Sequence, residues 1–221
     1  MIKIPETSKP IDACLGEPMM CVANIVRAVE PKMGDRIAVI GCGFMGLMVI
    51  AGLKSQALGD IVAIDLDEKR LEMAVQYGAT KTLNPKNVDV EDASFELTHG
   101  RMSDCIVEIT GSLRGLQTAL SVAKISGRGK ILAPSVYSKN ETWTEEMAYN
   151  MMYRSPIIHV VHPYYTNEYM YTLGIGVDAY VKGVFPTEEF ITHRIPFERV
   201  SEGFQLLDTN PPGYIKGIIT F

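Results

Sequence analysis

Between Arg36 and Asp65 the chain runs Arg-Ile-Ala-Val-Ile-Gly-Cys-Gly-Phe-Met-Gly, then an apolar helical stretch, then Ile-Val-Ala-Ile-Asp. A short apolar run, a glycine turn, a helix and a second apolar run ending on an acid form a βαβ unit, and few other arrangements suit that order. Gly41, Gly43 and Gly46 give the spacing G-x-G-x-x-G. The first glycine permits a tight turn from strand to helix, the second lets the backbone approach a pyrophosphate, and the third lets the helix pack closely on the strand. Phosphates then rest on the helix N-terminus, where unpaired N–H groups and the helix dipole favour negative charge. Asp65 stands about twenty residues past the last glycine, where a carboxylate accepts hydrogen bonds from the adenosine ribose of NAD. A buried turn that merely requires small residues accounts for the glycines, but not for the strand before them or the acid after the second strand.

Composition narrows the partners. A chain of 221 residues can bury one large core, or a domain with an appendage. Its net charge of −5 supplies no basic stripe to neutralise nucleic-acid phosphates. No apolar run is long enough to span a membrane, and Met-Ile-Lys-Ile-Pro at the start does not read as a secretory signal, so a cytoplasmic location is expected. Cys14, Cys21, Cys42 and Cys105 are scattered through apolar segments with no C-x-x-C spacing. They read as small core residues in a reducing compartment, and a zinc quartet is not expected.

Strand and helix signals alternate along the chain, which predicts a parallel sheet with helices on both faces. Asp67 opens a helix that continues through Leu71 to Tyr77 and ends at Gly78, before a strand near Lys81 to Leu83 and a turn at Asn84-Pro85. A short helix over Val90 to Thr98 precedes a strand over Asp104 to Glu108. Ser112 reads as the N-cap of a helix over Leu113 to Ala123, and Gly127-x-Gly129 returns the chain to a strand over Lys130 to Pro134. A sixth strand is expected over Pro156 to Val161, followed by a helix from Asn167 to about Lys182. The fold class is thus α/β, a Rossmann-type doubly wound six-stranded parallel sheet.

With these elements placed, the chain resembles the cofactor-binding half of the medium-chain, zinc-type alcohol and polyol dehydrogenases. Gly16-Glu17-Pro18 with Val22-Ala23 and Gly34-Asp35 is similar to that family's entry helix and the turn before its first strand. The glycine motif, Asp65 with Arg70, Gly78-Ala79-Thr80 and Glu108-Ile109-Thr110-Gly111 follow in family order. At the far end, Ile191-Thr192-His193-Arg194, Phe204-Gln205-Leu206-Leu207 and Tyr214 to Phe221 resemble the family's last helix and strand. The resemblance implies an entry segment over 1–33, an NAD-binding Rossmann domain over 34–189, and a C-terminal helix and strand over 190–221.

The same resemblance implies most of a cofactor site. Phe44 and Met45 cover the pyrophosphate, Asp65 holds the ribose, Arg70 lies along the adenosine, and Thr110 and Gly111 border the adenine side. Pro134, Ser135 and Val136 offer backbone groups to the nicotinamide carboxamide; Pro134 has no N–H, so its carbonyl alone can serve. Lys216 reaches the pyrophosphate. A reading of Arg70 and Lys216 as solvated surface charges is the less favoured alternative.

The zinc ligands of the resembled family belong to an N-terminal β-rich domain that is not represented here, so no metal site and no zinc are expected in this chain. Glu17 matches a glutamate near that metal, and reads as well as a first-turn helix acid. His159 and His162 are three apart on a predicted strand, where their side chains point to opposite faces and cannot share an ion. His193 falls in the Thr-His-Arg segment and His99 in a loop. Tyr164-Tyr165 with Tyr169 and Tyr171 forms an aromatic cluster suited to the core or to a subunit interface.

Two functional readings follow. In one, the chain is the cofactor portion of an NAD-dependent dehydrogenase that moves hydride between nicotinamide and a secondary alcohol or ketone of polyol, sugar or amino-alcohol type, either as a piece of a longer enzyme or as one subunit of a split enzyme whose partner chain brings the zinc domain, and it is expected to be inactive alone. In the other, it is a free-standing dinucleotide-binding module without chemistry of its own. A homodimer through the 156–161 edge strand is expected. For the terminal strand, with Ile215, Ile218, Ile219 and Phe221, three outcomes are open, fraying, pairing with a partner chain, or packing against the alternating Ile2-Lys3-Ile4 segment, and the last is favoured.

Overall fold

A computed structural model describes residues 2–125, 128–162 and 168–221. Its centre is a six-stranded, wholly parallel sheet in the order β3-β2-β1-β4-β5-β6. The strands are β1 (Arg36–Ile40), β2 (Asp60–Ile64), β3 (Lys81–Leu83), β4 (Cys105–Glu108), β5 (Lys130–Ala133) and β6 (Ile157–Val160). Ile37 to Ile40, Ile61 to Ile64 and the whole of β4 are buried. Strands covered on both faces need continuous apolar sequence, which is why these stretches do not alternate.

Helices α1 (Gly16–Val29), α2 (Phe44–Leu53), α3 (Glu68–Tyr77) and α7 (Tyr169–Val181) cover one face. Helices α4 (Val90–Leu97), α5 (Leu113–Val122) and α6 (Glu145–Arg154) cover the other. Apart from Met45, every residue of α2 is buried, because the helix lies between the sheet and α1. Local chemistry sets the helix ends as the sequence implies: the Asp67 carboxylate accepts from the N–H groups of Lys69 and Arg70, Ser112 accepts from Gly115, and Gly78 closes α3 at a φ of 132°.

The sequence reading left out α6, although Thr144 caps it and two glutamates open it. Its buried positions are Met147, Asn150 and Arg154, while Tyr149, Met151, Met152 and Tyr153 face outward. Hydrophobic periodicity therefore pointed at no consistent face. Gly127, Tyr164, Tyr165 and Asn167 lie outside the described residues. Within them, the Arg27 guanidinium stacks 5.1 Å over the exposed ring of Tyr171.

The expected pairing of the C-terminal strand is corrected. Strand β8 (Lys216–Thr220) pairs in parallel with β7 (Ile191–Pro196), which follows the short helix α8 (Thr187–Phe190). Helix α9 (Val200–Thr209) is the crossover and lies against both strands; a methyl group at its Gly203 would sit 3.2 Å from Ile195 and 3.3 Å from Ile219. Ile2 to Ile4 forms no strand. A partner strand one helix away closes a short loop, whereas Pro5 and Pro10 deprive the N-terminal segment of ladder donors. Ile4 packs instead on the main core. Among the described residues, no helix is long and apolar enough to cross a membrane.

Candidate functional site

The carboxyl ends of β1, β2 and β4 open on a cleft of about 590 Å³. It lies where the strand order reverses between β1 and β4, the usual ligand position of an open parallel sheet. Gly41 leaves β1 at a φ of 96°, and a Cβ there would meet Thr110 Cγ2 at 2.9 Å. A Cβ on Gly46 would fall 1.8 Å from the Gly41 carbonyl oxygen, so α2 can rise from the turn this closely only with glycine. Gly43 is different: nothing lies within 4 Å of where its Cβ would point. It is the N-cap of α2 and contributes no side chain, so no side-chain cap engages the first-turn N–H groups beside it. Open space in front of uncapped amides fits an anionic diphosphate group.

Asp65 is held in place by two backbone donors. Its Oδ2 accepts from the Cys42 N–H at 2.6 Å and its Oδ1 from the Asp67 N–H at 2.9 Å. The carboxylate thus ties the glycine turn to the start of α3 while facing the cleft. Arg70, in the first turn of α3, also lines the cleft, and its Nη2 donates to Asn210 Oδ1 at 3.0 Å and to the Tyr214 carbonyl at 3.4 Å. That contact brings Asn210 and Pro212 to the cleft wall, positions absent from the sequence reading because 140 residues separate Asn210 from Arg70. Lys86 and Arg114 were missed for the same reason, since tertiary folding alone brings them to the cleft that Asp65 lines, where Lys86 Nζ donates to the Leu66 carbonyl at 3.0 Å.

The expected site residues occupy distinct places. Gly41, Gly43, Asp65, Arg70 and Thr110 line the cleft, and Gly46 lies beneath it. Phe44 and Met45 form the first turn of α2, and the Lys216 ammonium sits 5.3 Å from the Phe44 ring centre. Gly111, at a φ of 73°, abuts the segment after β5, its Cβ position 3.2 Å from the Val136 carbonyl oxygen and 3.6 Å from Ser135 Cβ. Pro134 to Val136 therefore flank the Thr110 wall.

Glu17 is a first-turn acid of α1, where it accepts from the Cys21 thiol at 3.1 Å. Burial and that carboxylate push the Cys21 thiol up to about 12, and burial likewise raises Cys105 to about 12 and raises Cys42. Thiols held up in this way are weak nucleophiles. His193 pairs with the Thr192 hydroxyl at 2.9 Å and tilts against Tyr214, His159 sits on the exposed strand β6, and none of the four histidines lines the cleft. Among the described residues no group of three or more His, Cys, Asp or Glu side chains comes together to hold a metal.

A parallel sheet in this order, with a glycine turn at the switch point and an acid ending the second strand, defines a Rossmann-type dinucleotide fold. The chain belongs to the zinc-binding dehydrogenase family, whose sequence model matches residues 45–155, and corresponds to that family's cofactor-binding half. It is 28% identical over 198 residues to the L-threonine 3-dehydrogenase of Bacillus licheniformis, covering 88% of this chain and 54% of that protein. An Escherichia coli oxidoreductase/dehydrogenase of unknown specificity superposes with a TM-score of 0.84 at 25% identity, covering 99% of this chain and 60% of that one. A short chain alcohol dehydrogenase of E. coli CFT073, complexed with cofactor NADH, superposes at 0.79 with 22% identity over 100% of this chain and 62% of its own. The chain spans about half the length of the curated relatives it matches.

Proposed function

We propose that this chain binds NAD(H) across the β1/β4 cleft and supplies the cofactor portion of a dehydrogenase acting on a secondary alcohol or ketone of polyol, sugar or amino-alcohol type. The observation that carries the reading is the pairing of open space at Gly43 with a carboxylate at Asp65 that is fixed by the glycine turn itself. The amides at the start of α2 would hold the diphosphate, with Lys216 adding positive charge beside Phe44. Asp65 would accept from the adenosine ribose hydroxyls, and Arg70, Thr110 and Gly111 would bound the adenosine end. Backbone groups of Pro134, Ser135 and Val136 would orient the nicotinamide. When bound, NAD supplies the hydride acceptor. The complex of the E. coli CFT073 relative with NADH supports this assignment, and no step is assigned to zinc.

Two further parts of the reading concern assembly and setting. Strand β6 ends the sheet with Ile157 and Val160 51% and 65% exposed, which supports pairing of two copies along this edge. All four cysteines are free, in keeping with a cytoplasmic protein.

Titration with NADH and NADPH, followed by nucleotide fluorescence, tests the proposal. A carboxylate at Asp65 repels a 2′-phosphate, so NADH should bind at least tenfold more tightly, and Asp65→Ala should narrow that gap. Equal or tighter binding of NADPH by the unmutated chain refutes the assignment. The isolated chain should oxidise no polyol or amino alcohol on either reading, so binding of NADH that stays without turnover after a zinc-domain partner chain is added would leave the chain as a dinucleotide module.

A further inference from the structure

The last residue of β4, Glu108, is a carboxylate with no exposed surface. Burial of such a group is costly unless hydrogen bonds replace its water. Glu108 Oε1 accepts from the Thr110 N–H at 2.8 Å and the Thr110 hydroxyl at 2.5 Å, and its Oε2 accepts from the Tyr137 hydroxyl at 2.5 Å. Helix α5 seals this arrangement: a Cβ on Gly115 would stand 2.4 Å from Glu108 Oε1 and 2.2 Å from Thr110 Oγ1. The Thr110 hydroxyl in turn accepts from the Ser112 N–H at 3.1 Å. One buried carboxylate therefore holds two segments that are distant in sequence. The first is Thr110 to Ser112, whose Thr110 and Ser112 line the cleft. The second is Tyr137, which follows directly on Pro134 to Val136 and packs its ring on the core beneath α5. The two segments also touch where Gly111 meets the Val136 carbonyl.

We propose that Tyr137, acting through Glu108, is a positioning residue that fixes the segment 134–136 against the Thr110 wall and so selectively strengthens the hold on the nicotinamide end of the dinucleotide. The inference rests on the NAD reading above. Its physical basis is leverage: Thr110 remains anchored to Glu108 by two bonds without Tyr137, whereas the segment after β5 loses its hydroxyl tether to β4. Val136, 86% exposed, has little packing to replace it. Burial and the Glu108 bond raise the Tyr137 phenol above its ordinary range, which keeps it a neutral donor at working pH.

Calorimetric titration with two probes, NADH and ADP-ribose, separates the ends of the ligand, because ADP-ribose lacks nicotinamide. Tyr137→Phe should weaken NADH about 3- to 10-fold while ADP-ribose stays within about twofold, a size expected for one lost hydrogen bond acting indirectly. Thr144→Ala, which removes the cap of α6 away from the cleft, controls for lost stability and should leave the ratio of the two affinities unchanged. Equal weakening of both probes in Tyr137→Phe, or none, overturns the positioning role while leaving the NAD reading intact. Failure of the unmutated chain to bind either probe overturns the NAD reading, and the positioning role with it.

Discussion

Replacing Gly43 by alanine should separate folding from phosphate binding. The new methyl group would point into open space, and the residue's φ of −71° and ψ of −171° are values that alanine adopts without strain. Alanine is a poorer N-cap than glycine by about 0.5–1 kcal/mol, and it restricts the unfolded chain by about 0.4–1 kcal/mol in the opposite direction. These contributions nearly cancel, so the melting temperature should move by no more than about 2 °C. The same methyl group would occupy the open space at Gly43 through which the proposed diphosphate approaches the start of α2. A diphosphate held there loses at least one charge-assisted hydrogen bond, about 1.5–3 kcal/mol, or roughly 10- to 100-fold in Kd. Parallel NADH titration and thermal denaturation of the two proteins would measure both effects. Unchanged affinity with an unchanged melting temperature would show that phosphate does not approach Gly43, and the cofactor assignment would fall.

Three other outcomes are expected. In Gly176→Ala, a Cβ would lie 2.8 Å from the Met19 backbone where α7 crosses α1, so overpacking should cost about 1–3 kcal/mol in denaturant unfolding; a neutral result would mean that the two helices separate easily. Tyr77, Tyr137 and Tyr180 all have phenol pKa values raised first by burial, Tyr180 to about 12. Their contribution is complete below an unfolded value of about 10 and is lost as pH climbs through the folded values, because the unfolded chain then releases protons that the folded chain retains. Unfolding free energy should accordingly fall from about pH 10 upward, and a flat profile to pH 11 would contradict the burial of these hydroxyls. In β6, the N–H groups of Ile157 and Val161 bond inward to Gly129 and Ala133, so the alternating N–H of Ile158 faces outward. Ile158→Pro should then spare the sheet but leave a monomer in light scattering, and a persistent dimer would exclude pairing along this edge.

Much of this architecture was legible in the sequence because its signals are local. Glycine spacing, the acid ending β2, the caps at Asp67 and Ser112, and the continuous apolar runs of β1, β2 and β4 each follow from backbone geometry or burial within a few residues. Helix α6 escaped because its buried face carries Asn150 and Arg154, whose environment comes from other elements: Arg154 donates to the Ala123 carbonyl and pairs with Glu91. Proximity decided the rest. Parallel pairing of β8 with β7, rather than with the N-terminal segment, depends on α9 packing across both strands, and the Arg70 contact with Asn210 and Tyr214 exists only once that unit docks. Glu108 is the clearest instance. Sequence places it at the end of a strand in a Glu-Ile-Thr-Gly run, but a carboxylate buried under α5 and shared between Thr110 and Tyr137 requires three chain segments to meet at one point, and no local pattern encodes that meeting.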